Sequence, residues 1–331
     1  MSENNKQKSN DLDRRELLKG LATVPIFGLF LSQVWKKVRR DRLKKSNILS
    51  GLVQEKKSAP AIIKGLSDSK HLNIGIIGYG GRGGHLVRGA GFATTGWTNT
   101  VSENARKNKL DKQFKTFMDQ EDLNCSLVGV CDLFDVRAEQ GLDASQNEVR
   151  PGGKPKKTAK RYRHYKDLLA DDNIDAVIIA TPDHWHSRIT IDAAKAGKHV
   201  YCEKGLTRTF DETIEVYDAV KEAGITFQLG HQNRQVEANE KAKQIVQQGL
   251  LGTINLVELT TNRNSPWGAW VWDIHPKGNA QTIDWDTFQE PAPNKIPFGE
   301  EALKRFFRWR CWFDYGTGLS GDLLSHDFDA I

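Results

Sequence analysis

Lys204, Asp322 and His326 are the residues whose types and placement suit proton transfer at a hydroxyl group. Lys204 closes the run Lys198-His199-Val200-Tyr201-Cys202-Glu203-Lys204, which reads as a buried strand ending in two charged residues. A lysine partly desolvated at such a strand end suits general acid/base work, and it equally suits an ion pair with a carboxylate. Asp322 and His326 stand four residues apart. On a helix that spacing puts them on one face, where the carboxylate can orient or charge the imidazole, although the same pattern also describes an ordinary surface pair. The approach Gly316-Thr317-Gly318-Leu319-Ser320-Gly321 is rich in glycine, which permits a ligand to come close.

Proton transfer of this kind needs an elaborate holder, and the sequence provides one. Residues 72–77 form a short apolar strand that runs straight into Gly78-Tyr79-Gly80-Gly81-Arg82-Gly83 and then a helix expected from His85 to Ala90. In this G-x-G-x-x-G turn the first glycine allows the tight bend, the second lets backbone approach a pyrophosphate, and the third lets helix pack on strand. A second apolar strand, 126–131, ends at Asp132, placed to hydrogen-bond an adenosine ribose. A carboxylate there repels a 2′-phosphate, so NAD is favoured over NADP. Asp132 lies 49 residues beyond Gly83, where a minimal unit has roughly 20. Residues 91–124 must therefore be a polar insertion.

A third strand at 175–180 leads into Thr181-Pro182-Asp183-His184-Trp185-His186, the strand at 198–202 is the fourth, and a helix at 210–223 and a fifth strand at 225–229 follow. Ligands of open parallel sheets sit beyond the carboxyl ends of the strands, so Gly78, Asp132, Thr181 and Glu203 point to one crevice. Tyr79, Gly80, Gly81, Arg82, Gly83, Pro182, His184 and His186 complete the cofactor set. The His-x-His pair has no third ligand and is read as lining the nicotinamide ribose, with Thr181 or Asp183 capping the next helix; no metal site is expected. Arg234 is a substrate contact or the partner of an acidic neighbour. Trp267, Trp270 and Trp272 form a sugar-stacking wall or a hydrophobic patch under a long loop.

Six motifs in order resemble the glucose–fructose oxidoreductase/inositol dehydrogenase/MocA family: GYGGRG at 78–83, ATPDHWH at 180–186, AGKHVYCEK at 196–204, GHQNRQ at 230–235, IDWDTFQEPAP at 283–293 and WFDYGTGLSGDLLSH at 312–326. The resemblance implies that the lysine of an E-K-P motif and a later D-x-x-x-H pair serve catalysis, matching Lys204, Asp322 and His326. Here Gly205 stands where the family has proline. The implied fold class is α/β, a doubly wound Rossmann domain followed by an α+β domain with an open, mostly antiparallel sheet. The implied activity is hydride transfer between a sugar or polyol hydroxyl carbon and NAD. Some relatives cleave glycosides by oxidation, elimination, addition and reduction, and a cofactor-binding protein without turnover is the remaining alternative.

Bulk properties fit an enzyme of small molecules. The 331 residues carry a formal charge of +6, but residues 1–70 hold 16 Lys/Arg against 7 Asp/Glu, so the rest of the chain is net acidic and offers nucleic acid no basic face. The four cysteines form no CxxC pair. Arg14-Arg15 before a short apolar run at 21–34 has the shape of a twin-arginine export signal, which implies a periplasmic or exported enzyme and transient contact with export machinery. A basic tail with a chance Arg-Arg is the alternative, and the strongly basic stretch from Lys36 to Arg42 favours a membrane-associated or cytoplasmic chain. The expected layout is a leader at 1–45, a linker at 46–70, the cofactor domain at 71–231 and the start of a substrate domain at 232–331. That last part shows one strong strand, 253–260, so the chain reads as truncated, with homo-oligomer contacts expected in the missing sheet.

Overall fold

The computed structural model describes residues 71–146, 158–260, 266 and 268–329, with 34, 35, 37 and 38. The twin-arginine stretch, the linker at 46–70 and Trp267 lie outside the described residues. No helix among the described residues is long and apolar enough to cross a membrane.

The strands are β1 (Leu72–Ile77), β2 (Cys125–Cys131), β3 (Lys160–Tyr162), β4 (Ala176–Ile179), β5 (His199–Glu203) and β6 (Phe227–Gly230). They form one parallel sheet in the order β3-β2-β1-β4-β5-β6. Both faces are covered, which is why the strands read as unbroken apolar runs. Ile76 packs with Val87, Phe92 and Leu127 on one face, while its neighbour Ile77 packs with Ile179, Trp185 and Ile189 on the other. Each such side chain contributes about 1.5–3 kcal/mol by leaving water. β1 lies inside the sheet, and the strand order runs outward from it to β3 on one side and through β4 to β6 on the other, so a crevice opens at the β1/β4 switch.

Register makes the crevice specific. Ile77 pairs with Cys131 of β2 and with Ile179 of β4, and Ile179 pairs with Cys202 of β5. Gly78, Asp132, Ala180 and Glu203 are therefore the next residues along four adjacent strands.

The first crossover helix α1 (Gly81–Gly89) starts four residues before the expected position, directly out of the glycine turn. The insertion at 91–124 is helical: α2 (Thr95–Lys107) and α3 (Gln113–Met118) pack Trp97 against Phe117, edge to face at 5.1 Å. Thr95 ties this insertion to Asp143 of α4 (Asp135–Gln146) through its hydroxyl at 2.7 Å. Helices α5 (Tyr165–Leu169), α6 (His186–Lys195) and α7 (Phe210–Ala223) complete the crossovers. Thr209 caps α7 by accepting from the Glu212 amide, and Gly224 ends it in the left-handed region at φ 64°.

Beyond β6 the expectation of a strand at 253–260 is not met: these residues form no strand. A strand needs hydrogen-bonded neighbours, and none of the described residues supplies one. Residues 240–256, with most of α8 (Glu237–Gln247), belong to a different compact unit from the sheet. From residue 271 onward the chain builds a third core with α9 (Trp285–Phe288) and α10 (Glu300–Phe307). Phe134, Ile283, Trp285, Phe288, Phe306, Phe307 and Tyr315 are all buried in it. Phe134, just past the end of β2, pairs with Ile283 in an isolated antiparallel bridge. This aromatic layer thus roofs the carboxyl ends of the strands. A π-helical stretch, Ser320–Leu324, leads into α11 (Ser325–Asp329).

Candidate active site

One cavity of about 620 Å³ lies between the strand ends and the aromatic layer. Its floor is the glycine turn. Gly78 adopts φ +89°, and a Cβ there would press on the Ala180 carbonyl at 2.8 Å. A Cβ on Gly83 would collide with the Gly78 carbonyl oxygen, so helix and strand touch backbone to backbone. Gly80 caps α1 with no side-chain hydrogen bond, and around Gly81 there is open space. No side chain among the described residues caps the start of α1, and Gly80, Gly81 and Arg82 line the cavity, an arrangement that fits a phosphate group on the first amides of the helix.

The other cofactor candidates divide. Gly78, Gly80, Gly81, Arg82, Asp132, Thr181, Pro182, His186 and Glu203 line the cavity. Tyr79 does not: its ring is buried against Gly141 and Val130, and only its backbone amide serves the site, donating to Asp132 Oδ2 at 2.7 Å. The second Asp132 oxygen accepts from the Phe134 amide at 2.8 Å. Burial pushes the Asp132 carboxyl up, opposed first by the Arg137 charge and then by these two amides. Gly83 acts from beneath the cavity wall.

His184 is a correction. Its ring turns away from the cavity into the aromatic core, with Nε2 2.8 Å from the Phe288 carbonyl and the Phe288 and Tyr315 rings at its sides. Burial pushes it down to about 3, so it is a neutral structural group. His186 sits on the wall, bridging the Thr181 and Gly205 carbonyls at 2.7 and 2.8 Å. It thereby fixes the exit of β5, where the Lys204–Gly205 peptide is cis. The capping role expected of Asp183 is also replaced. Its carboxylate accepts from the Thr317 amide and hydroxyl at 2.9 and 2.7 Å, pinning the glycine-rich approach to the sheet. Thr181 Oγ1 is buried at the wall with no partner among the described residues.

The far end of the cavity brings Lys204, Asp322 and His326 together. Lys204 donates to the Asp322 carboxylate at 2.5 Å and to its backbone carbonyl at 2.6 Å. Arg310, which sits in none of the motifs, donates to the same carboxylate oxygen at 3.1 Å. Burial pushes the Asp322 carboxyl up, but Arg310 and Lys204 outweigh it and hold it below the usual carboxylate range. Asp322 therefore orients Lys204; it does not grip His326 as the four-residue spacing predicted. The π-helical turn through Asp322 breaks the α-helical register on which that expectation stood.

His326 instead faces His231, ring centroids 5.6 Å apart, and its Nδ1 has no partner among the described residues. Burial lowers its imidazole below the ordinary histidine value, and the Lys204 and His231 charges push the same way. Near neutral pH it is therefore uncharged. Glu203 accepts from Arg82 Nε at 2.7 Å and from the Tyr201 hydroxyl at 3.1 Å, so Arg82 spans the cavity floor.

Of the substrate candidates, Trp270 and Trp272 line the cavity. Arg234 does not. It forms an ion pair with Asp329 at 2.5 Å, the acidic neighbour allowed as its alternative.

Residues 72–231 match the family model described as "Oxidoreductase family, NAD-binding Rossmann fold", the Gfo/Idh/MocA family. The chain carries that family's NAD-binding domain. A levoglucosan dehydrogenase of Pseudarthrobacter phenanthrenivorans is 41% identical over 90 residues, 27% of this chain and 23% of that protein. A 2,7-anhydro-N-acetylneuraminate hydratase of Escherichia coli is 35% identical over 97 residues, 29% of this chain and 26% of that protein. The crystal structure of myo-inositol 2-dehydrogenase from Lactobacillus plantarum superposes with a TM-score of 0.41 at 27% identity, covering 56% of this chain and 43% of that one. The chain thus spans about a quarter of the length of the two curated relatives and under half of the solved structure.

Proposed function

We propose that the protein is an NAD-dependent oxidoreductase acting on a hydroxyl-bearing carbon of a sugar or polyol. The observation that carries this reading is the convergence of Lys204, Asp322 and His326 at one end of a cavity whose other end is the glycine turn. NAD, held by the α1 amides and Asp132, supplies the hydride acceptor. The Lys204 ammonium, aimed by Asp322, donates a hydrogen bond to the substrate oxygen and stabilises the negative charge that develops there. His326, neutral and on the cavity lining, takes the hydroxyl proton. Trp270 and Trp272 offer apolar faces to the sugar ring.

The hydratase relative supports a second reading, in which the oxidised sugar loses a leaving group, adds water and is reduced again. Both readings are separated by one assay. The purified protein is incubated with sugars, polyols and glycosides in NAD or NADP, and NADH and leaving group are followed together. Net NADH with a free sugar or polyol is expected; leaving-group release without net NADH selects the second reading, and tight NAD binding with no turnover on any compound ends both. NAD is expected to bind more tightly than NADP, with Asp132→Ala narrowing the difference at least tenfold. Tighter NADP binding by the unmutated protein would assign the ribose site to Arg137 instead.

We also propose export by the twin-arginine route, from Arg14-Arg15 and the apolar run at 21–34. Replacing both arginines with lysine should leave the protein in the cytoplasmic fraction. Finding the unmutated protein already there contradicts the proposal.

A further inference from the structure

The cluster at the far end of the cavity is not electrically closed. Lys204 and Arg310 share one carboxylate, Asp322, which its two cations keep ionised. Among these three side chains one positive charge is left over, beside a neutral His326. Asp273, also on the wall, makes no ion pair with Arg310.

Arg310 is also held in a fixed plane. Its Nε donates to Asp322, and its guanidinium carbon lies 4.1 Å over the Trp309 ring. Neither terminal amino group donates to any of the described residues. The side chain lines the cavity and is 29% exposed. A planar cation anchored at its inner edge, with its outer donors open to the cavity, has the geometry that recognises a carboxylate through two parallel hydrogen bonds.

We propose that Arg310 is a specificity-determining residue that makes the pocket prefer sugars and polyols bearing a carboxylate, such as uronates and aldonates, over their neutral counterparts. This rests on the oxidoreductase reading for the reaction but not for the binding preference. Arg310 holds the carboxylate while Lys204, on the other side of Asp322, meets the reacting hydroxyl.

The test uses matched pairs, glucuronate with glucose and gluconate with sorbitol. For each, KM in the oxidation assay and the Kd for the NAD-loaded protein by calorimetry are measured. The acid of at least one pair is expected to bind at least tenfold more tightly than its neutral partner. Arg310→Gln should erase about 10- to 100-fold of that preference, and Arg310→Lys should retain part of it. A purely structural role, bracing Asp322, would lower turnover on both members alike and leave their ratio unchanged. That result overturns the proposal, as does a wild-type preference for the neutral members. Weakening of NAD itself by Arg310→Gln with an unchanged ratio also overturns it, by giving the guanidinium to the cofactor. If no compound yields NADH but the calorimetric preference and its loss persist, the oxidoreductase reading fails while the carboxylate site stands.

Discussion

Replacing Lys204 with methionine, or His326 with alanine, is expected to lower turnover at least a hundredfold while leaving NAD affinity within a few-fold. A positioned general acid or base contributes about 10²–10⁴-fold. The pyrophosphate-facing amides belong to α1 and the glycine turn, a different part of the cavity lining, so binding and chemistry are separable. Because both side chains would act on the same hydroxyl, the double variant should be little worse than the poorer single one. The pH profile adds a sign. With His326 acting as the neutral imidazole, kcat/KM is expected to be complete above its pKa and to fall as pH drops through it. Burial, then Lys204 and His231, place that limb below the ordinary histidine value of 6.5. An acidic limb above 6.5, or near-normal rates in both variants, would remove His326 and Lys204 from the chemistry. Asp322→Asn should also reduce turnover, through Lys204. It should lower Tm as well, because it leaves two cations facing each other without their carboxylate.

Gly83→Ala is expected to have the second large effect, and on a different observable. The added methyl would collide with the Gly78 carbonyl oxygen, and both partners are backbone at the junction of β1 and α1. Neither can swing aside as a long side chain would. Overpacking of this kind costs about 1–3 kcal/mol, which for a domain of this size lowers Tm by roughly 2–4 °C per kcal/mol. Relief by prising α1 off the strand would also displace its free amides, so NAD affinity should fall at least tenfold. Gly89→Ala, at the other end of α1 with open space around it, is the comparison: it should leave Tm unchanged or raise it. Equal behaviour of the two variants, followed by thermal denaturation and NAD titration, would mean that the close contact does not matter.

The Rossmann part was readable because buried parallel strands announce themselves as apolar runs ending in glycine or acid. β1 and α7 fall where the sequence placed them. β3 was missed for a physical reason. It is three residues long, Lys160, Arg161 and Tyr162, at the sheet edge, and an apolar pattern cannot be seen in two charges and a tyrosine. The strand expected at 253–260 failed in the opposite way, since its apolar residues have no neighbouring strand to complete a ladder.

In the site, spacing located the residues better than it located their partners. Lys204, Asp322 and His326 do converge, but a π-helical turn hands Asp322 to Lys204 and Arg310. His184 and His186, two residues apart, turn to opposite destinies in a short helical turn, one into the aromatic core and one onto the cavity wall. Arg310 carried no motif of its own. Its importance comes only from tertiary contacts with Asp322 and Trp309.

The most direct measurement is a crystal structure of the protein with NAD bound. The account predicts the pyrophosphate on the amides that follow Gly80, the adenosine ribose against Asp132, and the nicotinamide ring between Thr181 and Lys204 with His326 facing its reactive carbon across a substrate-sized gap. A nicotinamide lying away from Lys204 and His326, or NAD bound outside this cavity, would contradict it.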